Sequence, residues 1–257
     1  MDLQLNGKVA VITGASRGIG AAIASELSSQ GARLVLAARS ADLLEKLASS
    51  LSTECLVYPV DLREEQAPAG LIRAAQDRFG QLDMLVNNAG ATKRGDFLTL
   101  SDDDWMDGFA LKFFGAMRCC RSAWPLLVAS QGSIVNIVGI GGRTGSAEFS
   151  IGGSVNAALL NLTKSLADRG VKEGVRVNAI NPGSIATERL QTRIKSFAGE
   201  HHLNQDEAAR EMAKSMGIAR FGTPAEIASA VAFLVSPLNS YIHGAILDID
   251  GGQTRTL

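Results

Sequence analysis

The sequence predicts an α/β protein with a doubly wound parallel sheet of about seven strands and helices on both faces. Short apolar runs rich in Val, Ile and Leu recur along the 257 residues. Their apolarity is continuous rather than alternating, which is typical of strands that are covered on both faces. Segments with the helical spacing of apolar residues separate these runs, so strands and helices alternate along the chain.

The predicted strands follow one another at intervals that leave room for a helix between parallel neighbours. They are KVAVIT (8–13), RLVLAA (33–38), CLVYPV (55–60), LDMLVNN (82–88), SIVNIV (133–138), VRVNAI (175–180) and GAILDI (244–249). The first helix carries Ile19, Ile23 and Leu27 at helical spacing, and Ser40 is a candidate N-cap of the second. The polar segment 188–215 interrupts the alternation and is interpreted as an excursion over the sheet edge, a candidate lid.

Length and charge limit the classes of function. An α/β chain of this length is commonly one domain, so we expect a single domain over residues 1–257. The 25 basic and 26 acidic side chains give a net charge of −1, which provides no basic face for nucleic acid or membrane lipid. With no signal-peptide pattern and no apolar run of spanning length, the expected location is the cytoplasm. Cys55, Cys119 and Cys120 lack metal-ligand spacing, and no metal site is expected.

The segment TGASRGIG, residues 13–20, lies where the first predicted strand turns into the first helix. In an open parallel sheet this turn is at the carboxyl ends of the strands, where glycines let the backbone approach a pyrophosphate at a helix N-terminus. The spacing of Gly14, Gly18 and Gly20 is GxxxGxG rather than GxGxxG. The loop alone is therefore also compatible with a purely structural turn.

Two further segments follow the glycine loop in order, NNAG at 87–90 and NPGSIATERL at 181–190. Together the three segments resemble the short-chain dehydrogenase/reductase family, over residues from about 6 to 252. The resemblance implies a Rossmann-like sheet, a nicotinamide dinucleotide, a small-molecule substrate and a homodimer or homotetramer. It does not by itself imply activity.

The end of the second strand bears on the choice of nicotinamide cofactor. NAD sites commonly place a carboxylate there to bind the ribose hydroxyl, whereas this chain has Ala38, Arg39 and Ser40. Arg39 and Arg17 of the glycine loop are suited to hold a 2′-phosphate through charge-assisted hydrogen bonds. We therefore predict NADP(H), the alternative being two solvated arginines without a ligand.

The resemblance implies cofactor contacts at the ends of several strands. Residues after the third strand would border the adenine, those after the fourth would line the middle of the cofactor, and those after the sixth would hold its nicotinamide end. The predicted cofactor-binding residues are Gly14, Ser16, Arg17, Gly18, Ile19, Gly20, Arg39, Ser40, Asp61, Leu62, Asn88, Ala89, Gly90, Pro182, Gly183, Ile185 and Thr187. Each also has a turn or packing role as an alternative, and Asn87 is interpreted as a backbone brace.

The usual catalytic side chains of the family are missing at the aligned positions. The family has a serine after the fifth strand, a tyrosine farther along that acts as acid or base, and a lysine one helical turn beyond it. Alignment of SIVNIVGIGG puts Gly139, Gly152 and Asn156 at these positions. The two tyrosines of the chain, Tyr58 and Tyr241, lie elsewhere in the sequence.

Lys112 falls at the fourth family position, which holds an asparagine in the long helix after NNAG. This chain therefore has lysine at 112, where the family has asparagine, and asparagine at 156, where the family has lysine. In the family fold these two positions face each other across the nicotinamide end of the cofactor. Lys112 lies in an apolar stripe with Phe109 and Ala116, and desolvation lowers the pKa of a lysine. It is the predicted proton donor, the alternative being a lysine that reaches solvent or braces a carbonyl.

The sequence offers other candidate donors, but the favoured interpretation of each is an ordinary surface, capping or lid residue; they are Ser146, Glu148, Ser150, Ser154, His201 and His202. The stretch GGS at 152–154 is expected to leave empty volume where the phenol of a tyrosine would project. We predict an NADP(H)-dependent oxidoreductase that transfers hydride to or from a small carbonyl, alcohol or imine by an atypical proton transfer. The alternative is an NADP(H)-binding protein without catalysis, a sensor or an inactive subunit.

Overall fold

The computed structural model describes residues 2–91 and 93–255. Seven parallel strands form one sheet with the order β3-β2-β1-β4-β5-β6-β7. The strands are β1 (Val9–Thr13), β2 (Arg33–Ala38), β3 (Cys55–Pro59), β4 (Met84–Asn87), β5 (Ser133–Ile137), β6 (Arg176–Pro182) and β7 (Ile246–Ile249). The predicted doubly wound, Rossmann-like parallel sheet is confirmed.

Nine α-helices are seen in the described residues. They are α1 (Gly18–Ser29), α2 (Ala41–Ala48), α3 (Ala67–Phe79), α4 (Asp102–Phe109), α5 (Ala116–Ser130), α6 (Ser150–Glu173), α7 (Glu188–His201), α8 (Gln205–Ser215) and α9 (Pro224–Val235). Ser40 occupies the N-cap position of α2, as predicted, although its side chain makes no capping hydrogen bond. Over the same residues, none of these helices combines the length and the apolarity that a membrane crossing requires.

Alternate residues of the strands enter two separate cores on opposite faces of the sheet. Ala10 and Ile12 pack with α1, α2 and α9, whereas Val9 and Val11 pack with α3, α5 and α6. Because successive side chains of a strand point to opposite faces, burial on both faces requires apolar residues at every position. This requirement explains the continuous apolar runs of the sequence.

The sheet reverses its winding direction between β1 and β4. Val11 of β1 lies beside Val35 of β2 on one side and beside Leu85 of β4 on the other. The chain runs outward from β1 to β3, crosses back to β4, and then runs outward again to β7. A crevice therefore opens at the carboxyl ends of β1 and β4, where open α/β sheets bind their ligands.

The long helical segment that carries Lys112 is not continuous α-helix. A π-helical stretch, Ala110–Gly115, lies between α4 and α5. The predicted apolar stripe assumed uninterrupted α-helical spacing, and the wider π turn changes the register within it. As a result Phe109 is only partly buried, whereas Ala116 beyond the π turn is buried.

The polar segment 188–215 folds into the helix pair α7 and α8. His202, at φ +55°, ends α7 in the left-handed conformation, and Asn204 caps α8 by accepting a hydrogen bond from the backbone N–H of Glu207. The pair has its own small apolar core, which includes Leu190, Ile194 and Met212. The interruption in the sequence pattern is thus a helical hairpin rather than an irregular loop.

Candidate active site

The glycine loop packs directly against the segment that follows β4. A Cβ atom on Gly14 would lie 2.8 Å from the Cα atom of Ala89, and one on Gly20 would overlap the carbonyl oxygen of Gly14. Gly14 and Gly18 both have positive φ, +65° and +57°. No side chain caps the start of α1 at Gly18. The first N–H groups of this helix are therefore directed toward the crevice without a capping hydrogen bond.

Asn88 holds this junction together. Its side-chain amide donates hydrogen bonds of 3.0 Å to the carbonyl oxygens of Thr13 and Gly14. In return, Thr13 Oγ1 accepts hydrogen bonds of 3.0 Å from the backbone N–H groups of Asn88 and Ala89. The end of β1 and the end of β4 are therefore fixed to each other by four hydrogen bonds.

The interpretation of Asn87 as the backbone brace was wrong. Its side-chain amide donates to Asn136 Oδ1 at 2.9 Å and to Cys120 Sγ at 3.2 Å, both of them side-chain atoms. Successive side chains at the end of a strand leave in opposite directions. Asn87 therefore points into the buried layer beneath α5, and the brace is the next residue, Asn88.

The residues predicted for the adenine end lie together at the ends of β2 and β3. Arg39 follows β2, and its guanidinium lies 4.0 Å from a carboxylate oxygen of Asp61, which follows β3. Arg39 and Ser40 are exposed, whereas the side chain of Leu62 is buried in the core. Arg17 extends in another direction and forms an ion pair of 3.0 Å with Glu188 of α7.

The residues predicted for the nicotinamide end follow β6. Pro182 is the last residue of β6, and a Cβ atom on Gly183 would lie 2.7 Å from the Cβ atom of Asp250. Ile185 is buried in the core, and Thr187 is the N-cap residue of α7. The methyl group of Thr187 would contact a Cβ atom on Gly18 at 3.3 Å, so the segment after β6 closes onto the glycine loop.

The remaining two residues of the predicted cofactor set belong to the same loop and helix. Ser16 lies in the turn before α1, and Ile19 lies in the first turn of α1 and packs against the core. The structure thus brings the three sequence segments that carry the resemblance to one crevice.

Lys112 points into this crevice from the π-helical segment. Its side chain lies over Gly90, where a Cβ atom would be 3.0 Å from Lys112 Cδ, and its ammonium donates a hydrogen bond to the carbonyl oxygen of Val138. Burial lowers the pKa of Lys112 to about 7, and the positive charge of Arg189 acts in the same direction. Arg189 itself donates to the carbonyl oxygen of Gly90 at 3.2 Å.

The opposite wall contains the ring of Phe149. A Cβ atom on Gly152 would overlap this ring, and one on Gly141 would lie 2.8 Å from its Cε1 atom. The expectation of empty volume at 152–154 was therefore wrong. The space that a side chain at residue 152 would need is filled by Phe149, because glycine at 141 and at 152 lets the ring come close to the backbone.

Asn156 lies between this wall and the end of β5. Its side-chain Nδ2 is 3.5 Å from the carbonyl oxygen of Gly139, whose N–H donates to Asn181 Oδ1 at 3.2 Å. Asn156 is only 3% exposed, and among the described residues nothing donates a hydrogen bond to its Oδ1 atom. A buried acceptor without a donor is costly, and Asn156 Oδ1 is such an acceptor among the described residues.

The structure places the other candidate donors as follows. Glu148, Ser146 and Ser154 are exposed, and the histidines stand at the exposed end of α7. Ser150 begins α6, and its hydroxyl is buried without a partner among the described residues. Tyr58 is a residue of β3, and Tyr241 is fully exposed.

Sequence reasoning missed Arg94. Its guanidinium stacks on the ring of Phe149 at 4.3 Å from the ring centroid. No periodicity or motif distinguishes the segment between Gly90 and α4, so nothing in the sequence indicated this contact. The fold reveals it by bringing residue 94 against the start of α6.

A family model described as enoyl-(acyl carrier protein) reductase matches residues 14–254 of the chain. The chain belongs to the short-chain dehydrogenase/reductase family. It is 35% identical over 256 residues to an uncharacterized oxidoreductase of Mycobacterium tuberculosis strain CDC 1551 / Oshkosh, across 98% of this chain and 94% of the relative. It is 32% identical over 252 residues to the 3-oxoacyl-[acyl-carrier-protein] reductase FabG of Vibrio cholerae, across 98% and 99%.

A solved member of the short-chain dehydrogenase/reductase family has nearly the same fold. The L-sorbose reductase of Gluconobacter frateurii, in complex with NADPH and L-sorbose, superimposes with a TM-score of 0.95 at 32% identity. The match covers 100% of this chain and 100% of that one.

The residues in the crevice fit a dinucleotide. The uncapped start of α1 offers N–H groups to a phosphate, and the loop around Gly14 and Gly20 leaves no Cβ atom between the backbone and a ligand. Asn156 Oδ1 offers an acceptor to a ribose hydroxyl. By contrast, within residues 2–91 and 93–255 no group of three or more His, Cys, Asp and Glu side chains is placed to hold a metal ion.

The packing of Phe149 on Gly152 makes a prediction about stability. Gly152→Ala should lower the free energy of unfolding by about 1–3 kcal/mol, because the new Cβ atom displaces the ring. In a Phe149→Ala background the same substitution should cost little, since the ring is gone. Urea denaturation of the four proteins of this double-mutant cycle measures the coupling, and equal costs in both backgrounds would exclude the contact.

The lowered pKa of Lys112 makes a second prediction. Because the pKa is about 7 in the folded protein and 10.5 ordinarily, the unfolded chain binds more protons between these values, and stability rises with pH across that window. The measured quantity is the difference between the free energies of unfolding of wild type and of Lys112→Met. This difference should not change with pH below pH 7. From about pH 7 to about pH 10 it should rise by up to about 1.4 kcal/mol per pH unit. A difference that stays level to pH 10 would contradict a buried ammonium.

Proposed function

We propose that this protein catalyses hydride transfer between NADP(H) and a small carbonyl, alcohol or imine substrate, with Lys112 as the group that transfers the proton. The chain is an oxidoreductase of the short-chain dehydrogenase/reductase type, and its cofactor is NADP(H). The observation that carries the proposal is the inward ammonium of Lys112, held against Gly90 and Val138 at the carboxyl ends of β4 and β5. A pKa of about 7 lets this group give and take a proton at neutral pH.

The cofactor, when bound, supplies or accepts the hydride. We assign its pyrophosphate to the glycine loop and its 2′-phosphate to Arg39, whose ion pair with Asp61 is long, at 4.0 Å. Arg17 would join Arg39 by leaving Glu188, an exposed partner whose ion pair contributes little stability. Asn156 Oδ1 would accept a hydrogen bond from a ribose hydroxyl.

The proton step follows from the surroundings of Lys112. In the direction of reduction, the carbonyl carbon gains the hydride and the carbonyl oxygen takes a proton from the ammonium, which gives an alcohol and a neutral amine. The amine then recovers a proton from water. The carbonyl oxygen of Val138 orients the ammonium before the transfer, and the positive charge of Arg189 favours loss of the proton. An imine carbon and nitrogen would be reduced to an amine in the same way.

We also propose that α7 and α8 form a lid on a single domain. Two contacts join α7 to the walls of the crevice, the ion pair of Glu188 with Arg17 and the hydrogen bond of Arg189 to Gly90. Both contacts are exposed, so they can open and close. A closed α7 would exclude water from the reaction. A homodimer or homotetramer and a cytoplasmic location stay predictions from the sequence.

The cofactor assignment predicts a change in nucleotide preference. Arg39→Ala should weaken NADPH binding by about tenfold or more through loss of a charge-assisted hydrogen bond to the 2′-phosphate, and should leave NADH binding unchanged. Fluorescence titration of both nucleotides measures this. Arg121→Ala, which removes an exposed arginine of α5, serves as the matched control. Equal losses for NADPH and NADH would show that Arg39 does not read the 2′-phosphate.

The reaction is tested by following NADPH oxidation against ketones, aldehydes, quinones and cyclic imines. Wild type should turn over at least one class, and kcat/KM for reduction should fall as the pH rises above about 7, because Lys112 loses its proton. Lys112→Met should lower kcat by about 10² to 10⁴-fold while NADPH still binds. Lys164→Met is the control, because Lys164 also donates to a backbone carbonyl, that of Gly244, away from the crevice.

Two results would contradict the proposal in different ways. Turnover that survives Lys112→Met with an unchanged pH profile would remove Lys112 from the mechanism but leave the reductase. NADPH binding without oxidation of any member of the panel would favour the non-catalytic alternative.

A further inference from the structure

We propose that Arg94, supported by Arg193, binds a carboxylate of the substrate, so that the substrate is an oxo acid rather than a neutral ketone or aldehyde. This inference rests on the proposed function, because it names the substrate class for the same site. It follows from the position of Arg94 and from the charges around it.

Arg94 is part of the wall of the reaction site. Its guanidinium stacks on one face of the Phe149 ring, and that ring packs against Gly141 and Gly152. The backbone next to Arg94 is fixed as well, because the N–H of Gly95 donates to the carbonyl oxygen of Glu148 at 3.2 Å. The guanidinium is therefore held beside the aligned tyrosine position by the ring, while Arg94 as a whole is exposed to solvent.

The same segment of chain joins Arg94 to Lys112. Gly90 lies against the side chain of Lys112, and four residues later the chain reaches Arg94 on the ring of Phe149. A substrate whose carbonyl oxygen meets the ammonium of Lys112 would thus extend toward Arg94.

The charge of Arg94 is not neutralised within the described part of the chain. No carboxylate oxygen there lies within 4.0 Å of it, and it makes no hydrogen bond to another described residue. Glu148 is near enough to act on it electrostatically without forming an ion pair, and Arg193 of α7 adds a second positive charge. Desolvation and the positive charge of Arg193 lower the pKa of Arg94.

A carboxylate matches this arrangement. A guanidinium that stacks on an aromatic ring keeps its edge free, and that edge presents parallel N–H donors at the spacing of two carboxylate oxygens. A bound carboxylate would offset the charges of Arg94 and Arg193, and closure of α7 would bring Arg193 and Arg189 over it. Neutral substrates would leave these charges uncompensated.

The experiment compares acids with their uncharged esters at three separations of carbonyl and carboxylate. The pairs are pyruvate and methyl pyruvate, acetoacetate and methyl acetoacetate, and levulinate and methyl levulinate, each assayed with NADPH. Wild type should favour at least one acid over its ester by about tenfold or more in kcat/KM. Arg94→Gln should abolish that preference through the KM for the acid, while ester reduction changes little. Arg94→Lys should keep part of it because the charge is retained.

A binding measurement separates this proposal from the proposed function. With NADP⁺ bound, butanoate should bind about tenfold more tightly than butanamide to wild type by calorimetry, and equally weakly to Arg94→Gln. Arg121→Gln, which changes an exposed arginine of α5, is the control and should resemble wild type. If nothing in the assay oxidises NADPH, the butanoate titration still decides the carboxylate site. Equal use of acids and esters, or an acid preference that survives Arg94→Gln, would overturn the proposal.

Discussion

The site depends on the close junction between the ends of β1 and β4. Thr13 and Asn88 exchange hydrogen bonds there, and the glycine loop lies so close to Ala89 that a Cβ atom on Gly14 has no room. This junction fixes the position of Gly90, which supports the side chain of Lys112 and accepts a hydrogen bond from Arg189. The hydrogen bonds between these two strand ends therefore position both the glycine loop and Lys112, the proposed proton donor.

The two walls of the crevice are made in opposite ways. On one wall, a π turn directs a long polar side chain inward and its ammonium is held by a carbonyl oxygen. On the other wall, glycine at 141 and at 152 removes side chains so that an aromatic ring fills the space. The ring then supports a guanidinium above the site. Both walls thus carry a positively charged side chain, Lys112 on one and Arg94 on the other, and the proposed preference for an anionic substrate rests on these two charges.

The sheet could be predicted from the sequence because burial on both faces requires continuous apolar runs such as VAVIT. The crevice could be predicted because glycines before a helix N-terminus let the backbone approach a phosphate. Sequence reasoning also pointed to Lys112, through a resemblance that marked the position. It failed at particular side-chain contacts and at a local change of helix type. The ring of Phe149 over Gly152 and the stacking of Arg94 have no periodic signal, and the π turn at Ala110–Gly115 violates the 3.6-residue spacing on which the helical stripe relied. The backbone brace was assigned to Asn87 instead of Asn88 because the pattern does not tell which of the two asparagines turns toward the glycine loop.

The ring that covers Gly152 also constrains how this lineage can change. A larger residue at 152 has no space while Phe149 stays, and a smaller residue at 149 opens a hole while glycine stays. Each single step passes through a less stable protein, so the two positions are expected to change together or not at all. A single substitution therefore does not lead from the present arrangement to an equally stable one with a side chain at 152.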